Sequence, residues 1–144
     1  MAFKLSQRSL DRLTGVHPSL IDTVKLAIRI TDVDFGVLMG VRTKEQQDEL
    51  YEQGRSTPGP IVTWTRNSKH IPQKDGYGHA VDLGVFIEGK YIPGNNTAEL
   101  SLYDDVADFM FNAAEQLGFV IKWGVIIKGE RTDKGHFEYV SSVG

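Results

Sequence analysis

The chain has 144 residues and a mass of 16.1 kDa, the size of one domain able to bury a core without covalent staples. Hydrophobic residues at 40% and charged residues at 24% place it among globular sequences rather than disordered ones. A formal net charge of −3 argues against sequence-independent nucleic-acid binding, and the absence of cysteine excludes disulfides, thiolate nucleophiles and cysteine-based zinc or iron–sulfur sites.

Residues 1–13 are polar and lack an apolar h-region, so no secretory signal is expected. No run approaches the roughly 18 apolar residues of a spanning helix, so no membrane insertion is expected either. Leu20, Ile21, Val24, Ala27 and Ile28 share one face at helical spacing and predict a helix over 18–31. Residues 34–40 read as a short buried strand. Thr43 and Gln46 have the spacing of a capping box, and Gly54 is a fitting stop, so a helix is expected over about 44–53. Residues 54–79 hold many glycines and prolines and predict a long loop, with a brief strand at 61–64; such loops are usually functional or disordered. Residues 80–87 and 91–92, joined by Glu88-Gly89-Lys90, read as a hairpin. Leu102, Val106, Phe109, Met110, Ala113 and Leu117 mark a long amphipathic helix that Gly118 ends. Residues 119–123 and 136–140 would be further strands. The order implies an α+β fold: one compact domain over 1–144, with a small, mainly antiparallel sheet and flanking helices.

The chemistry concentrates in two polar segments. Of four histidines, His17 precedes Pro18 at a helix entrance and reads as structural, while His70, His79 and His136 stand in polar stretches with acidic neighbours. Without cysteine, a zinc site here must use histidine and carboxylate, and a catalytic one has three such ligands plus water. Asp82 lies within an apolar strand, where a carboxylate costs several kcal/mol, roughly, unless it is paired or coordinates a metal; its other reading is a cap at a strand end. Strand alternation puts Ala80 and Asp82 on one face and His79 on the other. His70, on a flexible approach loop, is therefore favoured over His79 as a partner for Asp82. Asp75, Asp104 and Asp105 read as solvated surface carboxylates, with oxygen ligands for calcium or another ion as their other reading.

Ser68-x-His70, Gly78-x-Ala80-x-Asp82 and Asp133-x-x-His136 together resemble the zinc peptidase family of D-alanyl-D-alanine carboxypeptidases and dipeptidases. The flanking residues resemble its bacteriophage L-alanyl-D-glutamate endopeptidase, or endolysin, branch. They are Phe3-Lys-Leu-Ser-Gln-Arg-Ser-Leu-Asp-Arg-Leu13, Gly15-Val-His-Pro18, Val33-Asp-Phe35, Gly40-Val-Arg-Thr43, Gln46-Gln-Asp-Glu-Leu-Tyr51 and Trp64-Thr-Arg-Asn-Ser-Lys-His70. The likeness covers nearly the whole chain. One departure stands out: Gly78 follows His70 by eight residues, where the compact family motif has three.

The resemblance implies one zinc ion held by His70, Asp82 and His136, with zinc-activated water attacking the amide. It implies Asp133 as general acid/base, Arg42 as the group that holds substrate or stabilises the oxyanion, and Ser68 as a substrate contact. His79 is then expected in the substrate cleft or behind the ligands. Glu138, two residues after His136 on a strand, competes with Asp133 for the role of base. The implied substrate is the bacterial peptidoglycan stem peptide, cut between L-Ala and D-Glu, with a monomeric enzyme made in the host cytoplasm and reaching the wall after membrane permeabilisation. A D-Ala–D-Ala carboxypeptidase on the same fold is the alternative within this chemistry. A non-catalytic wall-binding module is the alternative outside it, and predicts a missing ligand or base.

Overall fold

The computed structural model describes residues 2–63 and 65–143. The elements run α1 (Gln7–Arg12), α2 (Pro18–Ile30), β1 (Phe35–Met39), α3 (Lys44–Glu52), β2 (Ala80–Ile87), β3 (Lys90–Ile92), α4 (Thr97–Leu117), β4 (Phe119–Ile127) and β5 (Glu130–Ser142). Their ends carry local signals. His17 caps α2 by accepting the Ser19 amide, with Pro18 in the first turn. Thr43 and Gln46 close a reciprocal capping box on α3. Gly118 ends α4 in the left-handed conformation. Among the described residues, no helix is long and apolar enough to cross a membrane.

The sheet order is β1-β2-β5-β4, with β3 also on β2 and every pairing antiparallel. β2 is the centre. Val85 pairs with both Phe35 and Ile92, and Asp82 with both Met39 and His136, so β3 and β5 share one edge of β2 end to end. Val81, Leu83 and Val85 turn to the helices, where they meet Leu20 and Val24 of α2, Met110 of α4 and Phe137 of β5 in one buried cluster. Burying each such side chain contributes about 1.5–3 kcal/mol. Tyr103 of α4 ties the layers together: its hydroxyl donates to the Ile92 carbonyl at 2.6 Å and accepts from the Val85 amide at 3.2 Å. Burial pushes that phenol up to about 12, so it remains a donor.

Four elements differ from the sequence reading. α1 is an additional helix. Residues 61–63 form no strand, and Trp64 lies outside the described residues. β4 and β5 run well beyond 119–123 and 136–140 to form one long hairpin, turned by Lys128 and Gly129 at φ 51° and 80°. Positive φ at both positions is the pattern of a tight two-residue hairpin turn.

That hairpin carries a large bulge. Trp123 pairs with Phe137 and Val125 with Thr132, so residues 133–136 of β5 stand against Gly124 alone. Bulges bend a strand and re-aim its side chains. The extra chain is pressed against β2: a Cβ on Gly135 would lie 2.3 Å from the Leu83 carbonyl oxygen. Gly135→Ala is therefore expected to destabilise the protein by at least about 1–3 kcal/mol, the cost of overpacking. Urea unfolding of the variant would measure it, and an unchanged midpoint would refute the close approach.

Candidate metal centre

Alternation along β2 sends Asp82 to the face opposite Val81 and Leu83, where two histidines reach it. His136, its register partner on β5, places Nδ1 2.9 Å from Asp82 Oδ1. His70 arrives from the long loop with Nε2 3.2 Å from the same oxygen. The His70 ring is 2% exposed, and its Nδ1 lies 2.7 Å from the Gly40 carbonyl oxygen. A carbonyl only accepts, so Nδ1 carries the proton and Nε2 presents a lone pair. Gly40 is itself required there, because a Cβ would lie 1.9 Å from the Arg12 carbonyl oxygen. The His70 backbone is held as well: its amide donates to Ser68 Oγ at 3.1 Å and its carbonyl accepts from the Arg42 amide at 2.9 Å.

This arrangement fits a cation. The ligating atoms of His70, Asp82 and His136 all lie within 4.8 Å of one another. A neutral His70 has no hydrogen to offer Asp82, so two electron-pair donors face each other at 3.2 Å. A metal ion among the three donors resolves that confrontation, and two imidazoles with one carboxylate form a donor set of the open, catalytic kind. On the other side of the ring, Glu138 Oε2 stands 3.9 Å from His136 Nε2, an ion-pair distance. In the metal-free chain, burial opposes protonation of His136, but its contacts with Asp82 and Glu138 prevail and raise its pKa to about 10. Burial likewise disfavours ionised Asp82, yet the hydrogen bond from His136 holds its carboxyl well below the usual carboxylate range.

Around this centre opens a cleft of about 560 Å³ whose apolar lining includes Val62, Val125 and Ile127. Asp133, Arg42, Ser68 and Glu138 line it with the three candidate ligands. Asp133 sits in the bulge at φ 51°, a conformation uncommon for a residue with a Cβ. It is exposed as a residue, but its carboxyl is crowded by the site. That desolvation, and then the Asp82 carboxylate, raise its pKa, while His136, His70 and Arg42 oppose the rise. Arg42 Nη2 lies 3.9 Å from Asp82 Oδ2, and its buried Nε finds no acceptor among the described residues. The guanidinium thus keeps donor capacity. His79 is not among the residues lining this cleft; its ring lies with Asp75 and His17, on the face that alternation assigns it.

Sequence reasoning missed Gln47. Its side chain is fully buried, accepts from Arg42 Nη1 at 2.7 Å, and donates to Thr63 Oγ1 at 3.1 Å and the Thr65 carbonyl at 2.6 Å. It therefore fastens Arg42 and the cleft wall to α3. The available signal was a glutamine on the inward side of a helix whose other residues are mostly charged.

A family model described as phage L-alanyl-D-glutamate peptidase matches residues 1–140. The chain is 28% identical over 150 residues to the L-alanyl-D-glutamate peptidase of Escherichia phage T5, covering 97% of this chain and 100% of that protein. It is 36% identical over 75 residues to the peptidoglycan L-alanyl-D-glutamate endopeptidase CwlK of Bacillus subtilis (strain 168), covering 50% of this chain and 43% of CwlK. Among solved structures, the L-Ala D-Glu endopeptidase ChiX of Serratia marcescens matches with a TM-score of 0.74 and 29% identity, over 95% of this chain and 90% of ChiX. The vancomycin-resistance D,D-dipeptidase VanXYg, solved with a D-Ala-D-Ala phosphinate analog, matches with a TM-score of 0.53 and 19% identity, over 88% of this chain and 51% of its own. It shares the fold.

Two predictions follow from the geometry. Because the folded-state pKa of His136 is raised from 6.5 to about 10, its contribution to metal-free stability is full below pH 6.5 and lost as pH rises through about 10. Denaturant unfolding of the chelated protein between pH 7 and 10 should show that decline, and Asp82→Asn should flatten it; an equal decline in the variant would mean the pair does not form. Gln47→Leu should cost about 1–3 kcal/mol by stranding buried polar groups. Gln47→Glu, which keeps the acceptor for Arg42, should cost less, and equal costs would contradict this role.

Proposed function

The chain belongs to the phage L-alanyl-D-glutamate peptidase family, and from that premise we propose that it is an endopeptidase with one catalytic zinc, cutting the L-Ala–D-Glu bond of the peptidoglycan stem peptide. The observation that carries this reading is the convergence of His70, Asp82 and His136 in one cleft with Asp133 and Arg42. Residues 1–144 act as a single catalytic domain, and the active species is a monomer. The protein is made in the host cytoplasm and reaches the wall once the membrane is permeabilised.

His70 Nε2, Asp82 Oδ1 and His136 Nδ1 are the atoms that would hold zinc. When bound, zinc supplies a Lewis acid that polarises the amide carbonyl and makes a water acidic enough to attack near neutral pH. Asp133 accepts the proton released by that water and passes it to the departing amine. A carboxyl raised by crowding suits this exchange, since it binds and releases a proton more evenly than an ordinary aspartate. Arg42, fixed by Gln47, supplies positive charge for the carbonyl oxygen as the carbon becomes tetrahedral. Ser68 secures the His70 backbone through its hydroxyl and contacts substrate from the cleft wall. Glu138, 3.9 Å from His136 Nε2, is read as a neighbour of that ring, and Asp133 as the base. Val62, Val125 and Ile127 form apolar walls that exclude bulk water when a peptide lies between them.

Mass spectrometry of purified peptidoglycan digested with and without a zinc chelator tests the reading. Chelator-sensitive products split between L-Ala and D-Glu are expected. Release of terminal D-Ala would instead make this a carboxypeptidase, and no cleavage would point to a wall-binding module. Asp133→Asn should keep the metal and lose about 10²–10⁴-fold in turnover. His70→Ala and His136→Ala should lose the metal of this cleft. Were Glu138→Gln, rather than Asp133→Asn, to abolish turnover with metal retained, the base would be Glu138.

A further inference from the structure

A second histidine–carboxylate cluster lies outside the cleft. His17 stands at the start of α2, Asp75 in the loop that follows His70, and His79 one residue before β2. His79 Nε2 is 2.8 Å from Asp75 Oδ2, and His17 Nε2 is 3.9 Å from the same oxygen. One ligating atom from each residue lies within 4.8 Å of the other two. The cluster is held from outside. Asp75 Oδ1 accepts the Tyr77 amide at 3.0 Å, which leaves Oδ2 turned to the rings. His17 stacks on Tyr139 at 4.1 Å between centroids, and His79 meets both rings edge-on at 5.2 and 5.7 Å.

We propose that His17, Asp75 and His79 form a second site for a divalent ion of the zinc type, separate from the His70, Asp82 and His136 centre. Three observations support it. The donors converge on one shared oxygen rather than pairing off separately. Two imidazole nitrogens with one carboxylate suit zinc, whereas calcium and magnesium prefer all-oxygen shells. The side chains remain 20%, 39% and 19% exposed for His17, Asp75 and His79, so an ion can enter and water can complete its shell.

The site differs from the cleft in one respect that sets its strength. His17 Nδ1 accepts the Ser19 amide at 3.1 Å, which places the ring proton on Nε2 in the metal-free chain. Coordination through Nε2 must move that proton and give up the capping bond. This second ion therefore binds more weakly than one at His70, whose tautomer is already set by Gly40. Its structural effect follows from position. The His17 amide donates to the Gly78 carbonyl at 2.8 Å and the Gly78 amide to the Gly15 carbonyl at 3.0 Å, joining α2 to the loop. An ion across His17, Asp75 and His79 adds a clamp to that joint, at the far end of the loop that presents His70.

Zinc counting by native mass spectrometry on the full chain, stripped with a chelator and reloaded with zinc, tests the proposal. Wild type should carry two zinc ions. His17→Asn keeps a good helix cap and Asp75→Asn keeps an acceptor for the Tyr77 amide, and each should carry one. His136→Ala should also carry one, retaining this site. Zinc should raise the melting temperature of His136→Ala but not of His136→Ala/Asp75→Asn, since only the former keeps a folded-state site. One zinc in wild type that vanishes in His136→Ala would overturn the second site and leave the proposed function standing. Two zinc ions retained in both His17→Asn and Asp75→Asn would overturn it as well.

Discussion

Asp82 occupies a register position at which β2 is paired on both edges, to Met39 and to His136. An isolated charge there would cost several kcal/mol, roughly, because the sheet and the cleft walls remove much of its water. The fold meets that cost with two imidazoles, and each imposes its own requirement on the chain. His70 needs an acceptor for Nδ1, which is the Gly40 carbonyl, and Gly40 can sit there only without a side chain against Arg12. His136 needs β5 to approach β2 closely, which the chain permits only with glycine at position 135. A half-buried carboxylate thus accounts for two glycines far apart in sequence.

The bulge on β5 adds a second consequence of the same geometry. Four residues of β5 span what Gly124 spans alone, so Asp133 and His136 fall on a distorted segment rather than a regular strand. Regular alternation would separate residues three apart onto opposite faces. The bulge, with Asp133 in a left-handed conformation, brings both into the same cleft. Local strain of this kind persists where surrounding contacts over-determine it. Those contacts are present: Trp123 Nε1 donates to the Lys134 carbonyl at 2.7 Å, and Lys134 pairs with Asp104 at 2.8 Å.

Much of this was legible in the sequence where a short-range rule decides the outcome. The capping box of α3, the stop at Gly118 and the opposed faces of His79 and Asp82 depend on neighbours within a few residues. α1 was missed because six residues give too little periodicity, and its anchor is a long-range bond from the Val37 amide to the buried Ser9 hydroxyl. The length of the β4–β5 hairpin was missed for the opposite reason. Lys128-Gly129 has the same backbone signature as Glu88-Gly89, which was recognised, but the bulge interrupts the alternation that would have flagged flanking strands. Gln47 left only a weak signal, a glutamine among charged helix residues, since its partners Arg42, Thr63 and Thr65 meet only in the folded chain.

Two clusters of identical composition, each two histidines and one aspartate, show what residue type alone leaves undecided. At His70 the far nitrogen meets a carbonyl, so the near nitrogen is left as a lone pair and the ring is prepared for a cation. At His17 the far nitrogen meets an amide N–H, so the near nitrogen holds a proton and the ring is prepared as a donor to Asp75. The hydrogen bond on the side away from the ligand therefore ranks the two sites. Position supports the same ranking. Asp75 belongs to the stretch between His70 and Gly78, the segment that exceeds the compact family spacing. Alternation faces His79 away from the cleft, where it pairs with Asp75, and leaves Asp82 to His70 and His136. The longer loop reinforces that division: by supplying Asp75 it gives His79 a partner on its own face, away from Asp82.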